Sequence, residues 1–154
     1  MSNLYLSIGT NLGDRRSNLK TAITLIGQRI GAVQAVSEVV ETEPWGFQSP
    51  NAFLNQALQV TTGLNPADAL KAAQAIEREM GRTVKSHGST YSDRLIDIDL
   101  IIYDDQVIEL PGLKIPHPLM HKRLFVLEPL SEIAPELEHP VLHKTVRDLL
   151  EEIR

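Results

Sequence analysis

Cysteine is absent from this chain. Disulfides, thiolate nucleophiles and cysteine-bound zinc are therefore excluded at once. Aromatic residues are scarce, at 5%, which is too few for the exposed stacking platform of an RNA-binding sheet. An excess of positive charge is missing as well. Fifteen Lys and Arg stand against 20 Asp and Glu, a net charge of −5. That balance disfavours a uniformly basic nucleic-acid or membrane-surface binder but leaves room for a local basic pocket. No apolar run approaches the roughly 20 residues of a spanning helix. The opening residues Met1, Ser2, Asn3 and Leu4 carry no basic start followed by an apolar stretch. The expectation is a soluble, cytoplasmic monomer that contacts neither nucleic acid nor membrane. Phosphate-cradling Gly-x-x-x-x-Gly-Lys-Ser/Thr and Gly-x-Gly-x-x-Gly motifs are also lacking, as is a serine-hydrolase Gly-x-Ser-x-Gly. Any nucleotide must be gripped by other devices.

What is present reads as one folded domain. The chain has 154 residues, of which 42% are hydrophobic and 23% charged, enough to build a core without staples. Residues 4–9 predict a strand with Leu4, Leu6 and Ile8 on one face. Asp14 or Ser17 opens a helix whose stripe is Leu19, Ile23, Ile26 and Ile30, and Gly31 ends it. Residues 32–43, rich in Val, Ser and Thr, predict one strand. A loop follows over 44–50, then a strand over 53–62 with Leu54, Leu58 and Val60 on one face and Phe53, Asn55, Ala57 and Gln59 on the other. Asn65 and Pro66 start a second helix with core stripe Ala69, Ala73, Ile76 and Met80. The Gly/Ser-rich stretch 81–93 predicts a mobile loop, 95–103 a strand, and 106–110 a short further strand. Short helices are expected near 120–127 and 130–133, and a last one opens at Thr145. The order β-α-β-β-α-β is that of an α+β, ferredoxin-like sheet with both helices on one face.

Chemistry concentrates at Arg94-Leu95-Ile96-Asp97-Ile98-Asp99-Leu100. Alternation along a strand puts Asp97 and Asp99 on one face and Ile96, Ile98 and Leu100 on the other. Two carboxylates inside an apolar strand repel each other and are costly to desolvate unless a cation lies between them. Hard oxygen donors of this kind suit Mg²⁺, with phosphate and water completing its shell. The competing reading is a half-exposed sheet edge with two solvated acids. Arg82, Lys85 and Arg94 flank this strand, either as grips for phosphate oxygens or as an ordinary charged loop. Phe53 could stack on a flat heterocycle whose edge Asn55 reads, or could pack under the preceding loop. His117 and His121 have a His-x₃-His spacing, but Pro118 breaks a helix through both, so a zinc pair is not expected. A phosphate-contacting His117 or a plain turn histidine remains.

Taken in order, these blocks resemble the 6-hydroxymethyl-7,8-dihydropterin pyrophosphokinase family of folate biosynthesis. The resemblance runs over nearly the whole chain. It is carried by Ile8-Gly9-Thr10-Asn11-Leu12, Thr42-Glu43-Pro44-Trp45-Gly46, Phe53-Leu54-Asn55, Ile76-Glu77 with Gly81-Arg82, the Arg94–Asp99 stretch, Pro116-His117-Pro118, and Arg123-Leu124-Phe125-Val126-Leu127. It implies transfer of the pyrophosphoryl group of ATP to a hydroxymethyl pterin, with AMP released. By position, Asp97 and Asp99 resemble the ligands of two Mg²⁺ ions. Phe53 and Phe125 resemble the pair that sandwiches the pterin, and Asn55 the reader of its edge, with Thr42, Glu43 and Trp45 completing recognition. Gln74, Glu77 and Leu100 resemble nucleotide contacts. Arg82, Arg94, His117 and Arg123 resemble the groups around the triphosphate, and Lys85 is a plausible addition. Arg82 and Arg94 count with the two aspartates as catalytic. One departure is Tyr91-Ser92-Asp93-Arg94, where the family commonly has Trp-Gly-Pro-Arg. Tyr91 then stands in for the tryptophan, and Asp93 adds a negative charge near the phosphates.

Two other classes compete with this reading. A ferredoxin-like binding module has no reason to place Asp-x-Asp in an apolar strand. A metal-dependent phosphohydrolase would use the same acids but needs no slot formed by Phe53, Phe125 and Asn55.

Overall fold

Leu4, Leu6 and Ile8 do share one side of a strand, β1 (Ser2–Thr10), in the computed structural model of the protein, which describes residues 1–43, 52–81 and 95–154. The chain continues through α1 (Arg15–Arg29), β2 (Ala32–Val36), β3 (Val40–Thr42), β4 (Phe53–Thr62), α2 (Pro66–Met80) and β5 (Asp97–Tyr103). Then come β6 (Ile108–Leu110), β7 (Leu113–Ile115), a 3-10 turn at Met120–Lys122, α3 (Leu124–Ile133) and α4 (Val146–Ile153). The main sheet runs β2–β4–β1–β5, with β3 also paired to β4, and every pairing is antiparallel. This is the expected α+β, ferredoxin-like order, with β2 and β3 together standing as the second strand.

The period of two in the strands sorts their side chains into two cores. On one face α1 and α2 cover Leu4, Leu6, Ile8, Leu54, Leu58, Val60, Ile98 and Leu100. On the other, α3 and α4 bring Val126, Leu127, Leu130, Val146 and Leu149 over Tyr5, Ala57, Ile101 and Ile102. Each such large aliphatic side chain contributes about 1.5–3 kcal/mol on burial. Capping follows the local sequence. Asp14 rather than Ser17 is the cap of α1, its carboxylate accepting from the Ser17 N–H at 3.1 Å. Asn65 accepts from Asp68 N–H at 2.8 Å at α2, and Thr145 from Asp148 N–H at 3.1 Å at α4. At Gly31 a Cβ would lie 2.2 Å from the Thr61 carbonyl oxygen, so only glycine lets α1 turn into β2 this close to β4.

The structure departs from expectation in four places. Residues 32–43 form two strands, not one. Ser37 interrupts them because its hydroxyl, not a strand neighbour, accepts the Ala57 N–H at 2.9 Å. β5 begins at Asp97 rather than at residue 95. The short strand near 106–110 is Ile108–Leu110, and it pairs with β7, an element not expected from the sequence. The helices expected near 120–127 and 130–133 are instead the 3-10 turn and one continuous α3. Pro129 sits inside α3 and is buried, so packing on the sheet outweighs the lost backbone bond.

Candidate active site

The site is built on the sheet face that α3 and α4 cover only in part. Pairing places Val40 opposite Asn55, Asn55 opposite Gly9, and Gly9 opposite Asp97, one row across β3, β4, β1 and β5. The adjoining row is Ala57, Ser7 and Asp99. Neighbouring strands lie about 4.8 Å apart, so Asn55 and Asp97 rise from backbones roughly 10 Å apart. Gly9 puts no side chain between them.

Each wall of this gap has a local cause. Asp97 and Asp99 are half-buried and share the face opposite Ile98 and Leu100, as the alternation predicts. One extra residue in β5, Ile101, interrupts its pairing with β1, because Leu100 faces Leu6 while Ile102 faces Tyr5. Ile101 and Ile102 therefore both enter the α3/α4 core, and the aspartates begin where that apolar cover stops. On the other wall, Asn55 is buried and donates from Nδ2 to the Thr42 hydroxyl at 2.8 Å and the Val40 carbonyl at 3.4 Å. Those acceptors turn Oδ1 toward Gly9. Phe53 pairs with Thr42 in the next position and is half-buried. Arg15 donates to the Ala52 carbonyl at 2.9 Å and lies 3.5 Å from Glu41, which ties β3 to the start of β4 beside Phe53. Glu43 is exposed just past β3.

The segment after β7 closes the far side. Phe125, near the start of α3, packs partly against the apolar cluster on the same sheet face. The buried Arg123 holds its guanidinium 5.3 Å from the Phe125 ring centroid. His117 donates its backbone N–H to the Ile101 carbonyl at 2.9 Å, at the bulge two residues from Asp99. Its Nδ1 accepts from the Leu119 N–H at 3.2 Å. Burial, helped by the positive charge of Arg123, pushes the His117 imidazole down to about 4, so it is neutral near pH 7. On α2, Glu77 accepts the Ile98 N–H at 2.8 Å, and Gln74 lies exposed one turn earlier. Leu100 is buried beneath the aspartates.

The structure thus gathers Asp97, Asp99, Phe53, Asn55, Thr42, Phe125, Arg123 and His117 around one sheet face. Trp45, Arg82, Lys85 and Arg94 lie outside the described residues, as does the stretch with Tyr91 and Asp93. Sequence reasoning gives no site role to Gly9, Ser7 or Arg15. Only the strand register reveals the first two. The signal available for Gly9 is a glycine inside a strand pattern, which marks close approach.

Fold and side chains together define a ferredoxin-like α+β protein with paired acids on the sheet face that also carries Phe53 and Asn55. Comparison with known proteins makes it particular. Residues 5–135 match the family model for 7,8-dihydro-6-hydroxymethylpterin-pyrophosphokinase (HPPK). The chain belongs to that family and is a pyrophosphokinase. It is 48% identical over 141 residues to the 2-amino-4-hydroxy-6-hydroxymethyldihydropteridine pyrophosphokinase of Porphyromonas gingivalis, covering 91% of this chain and 95% of that one. It is 39% identical over 140 residues to the Bacillus subtilis protein of the same name, covering 90% and 82%. Among solved structures, wild-type Plasmodium falciparum HPPK-DHPS with SDX-DHP superposes with a TM-score of 0.77 at 19% identity. The match covers 99% of this chain but 43% of that longer one, and it bears on the fold. Among the described residues no helix is long and apolar enough to cross a membrane.

Proposed function

We propose that the chain transfers the pyrophosphoryl group of ATP to the hydroxymethyl oxygen of 6-hydroxymethyl-7,8-dihydropterin, giving the pterin diphosphate and AMP for folate synthesis. Family membership supports the reaction, with ATP as co-substrate. The observation that carries the division of the site is the row Asn55–Gly9–Asp97, a gap with an amide on one side and a carboxylate on the other. A phosphohydrolase has no use for the first wall.

The donors present fit Mg²⁺. Two hard carboxylates stand side by side, and among the described residues no third acid or histidine joins them to complete a protein cage. Mg²⁺ accepts one or two carboxylates and leaves its other positions to phosphate oxygens and water. Bound there, a pair of such ions would neutralise triphosphate charge and make the pterin hydroxyl easier to deprotonate. The chain's own residues do the rest. Phe53 and Phe125 stack on the pterin faces, and Asn55 Oδ1 accepts from an N–H on its edge. Thr42 holds that amide in place, and Glu43 and Trp45 complete pterin recognition. Arg123, Arg82, Arg94 and Lys85 take phosphate oxygens, while neutral His117 donates Nε2–H without adding charge. Gln74 and the strand edge at Leu100 flank the nucleotide base and sugar. Positioning and charge neutralisation, rather than covalent catalysis, then bring the hydroxyl in line with the β-phosphorus.

The test is Asp97→Asn and Asp99→Asn, which keep shape and remove charge. Each is expected to lower turnover at least roughly a thousand-fold, as removal of transition-state charge stabilisation does, with little change in melting temperature. Near-normal turnover at saturating Mg²⁺ in either variant would overturn the metal assignment.

A further inference from the structure

Glu77, on α2, touches the backbone that carries the aspartates. Among the described residues β5 is the last strand of the sheet, and one of its edges has no strand partner. Backbone groups alternate in direction along a strand. The Ile98 N–H turns away from β1 and donates to Glu77 Oε2 at 2.8 Å. The flanking Asp97 and Asp99 turn theirs toward their partners Gly9 and Ser7. The acid pair is therefore held from the inside by β1 and from the outside by a side chain of α2. Three residues further on, the Ile101 bulge interrupts the β1–β5 ladder.

An acid is an unexpected choice for this role. A glutamine oxygen would accept the same bond without the charge.

We propose that Glu77 is a positioning residue for the reaction. Its carboxylate pins the Ile98 N–H and so fixes how Asp97 and Asp99 present their oxygens. It acts on metal and phosphates through β5 rather than by touching the nucleotide. This rests on the reading that the two aspartates hold the metal.

The experiment compares wild type with Glu77→Ala, Glu77→Asp and Glu77→Gln. Amide exchange of Ile98 is read without ligands, and turnover is read against Mg²⁺ concentration. Losing a charge-assisted bond corresponds to about a tenfold change or more. Ile98 exchange should accelerate by that factor in the alanine and aspartate variants, the latter being one methylene too short. In both, kcat should fall about tenfold or more, and the Mg²⁺ concentration for half-maximal rate should rise, while pterin affinity holds. Glutamine should restore Ile98 protection, most of kcat and the Mg²⁺ dependence. Unchanged Ile98 exchange in the alanine variant would overturn the proposal. So would a rise confined to the KM for ATP, which would make Glu77 a nucleotide contact. Failure of the metal reading shows separately, as full activity of Asp97→Asn, and leaves the exchange result standing.

Discussion

Replacing Gly9 by alanine adds one methyl group at the centre of the proposed substrate gap. Its Cβ would lie 3.0 Å from Asn55 Oδ1, 3.5 Å from Phe53 Cδ1 and 3.7 Å from the Leu54 carbonyl oxygen. The first distance is tight, so the Asn55 amide must give by a few tenths of an ångström. Moving it strains its 2.8 Å bond to the Thr42 hydroxyl, a bond worth about 1 kcal/mol. Overpacking at such a site costs about 1–3 kcal/mol, and the lower chain entropy of alanine offsets about 0.5–1 kcal/mol. The net loss of stability is then at most about 2.5 kcal/mol, and the protein stays folded. Binding suffers more, because the methyl fills space between Asn55 and Asp97 and turns the amide oxygen away. Loss of one hydrogen bond plus imperfect stacking gives a pterin affinity at least about tenfold lower. Calorimetric titration of the pterin alcohol and of a non-hydrolysable ATP analogue, each alone, reads the two sites separately. A folded Gly9→Ala protein with wild-type pterin affinity would refute the reasoning, because the gap would then not be where the ring lies.

Truncation of the slot should act in the same selective way. Phe53→Ala and Asn55→Ala are each expected to weaken pterin binding by about 1–3 kcal/mol, the scale of a base–aromatic stack. Neither should change binding of the nucleotide analogue, and calorimetry on both ligands checks this. A pH effect follows from His117. Its folded-state pKa, about 4, lies below the ordinary 6.5, so the unfolded chain takes up a proton first as pH falls. The neutral imidazole therefore contributes stability fully above pH 6.5, and that contribution is lost between about 6.5 and 4. With partial exposure discounted, the loss is about 1–2 kcal/mol, or several degrees in melting temperature. His117→Asn keeps an acceptor for the Leu119 N–H without titrating. Its melting temperature should fall less steeply with acid than that of the wild type, and parallel curves would contradict the assignment.

Much of this site was legible because strands have a simple period. Alternation alone assigns Asp97 and Asp99, set among Ile96, Ile98 and Leu100, and Phe53 and Asn55, opposite Leu54 and Leu58, to their faces. Asn65 and Thr145 declared their helices by capping chemistry. What stayed hidden depends on neighbours distant in sequence. Register across strands, which sets Asn55, Gly9 and Asp97 in one row, cannot be read from a single strand. The Ser37 hydroxyl breaks a segment that looks continuous, and Ile101 adds one residue that shows only against its partner β1. The resemblance makes Glu77 a nucleotide contact, and its bond to a strand edge shows only in the packing of α2 on β5. Pro129 misled in the opposite direction, since burial on the sheet carries α3 through a residue that ordinarily ends a helix.

The central claim is that a whole pyrophosphoryl group moves from ATP to a pterin alcohol. Incubation of the protein with ATP, Mg²⁺ and 6-hydroxymethyl-7,8-dihydropterin, followed by chromatography of the nucleotides, tests it most directly. The account predicts AMP and pterin diphosphate in equal amounts, and no AMP when the pterin is left out. ADP as the main nucleotide product, or ATP breakdown that proceeds without the pterin, would contradict it.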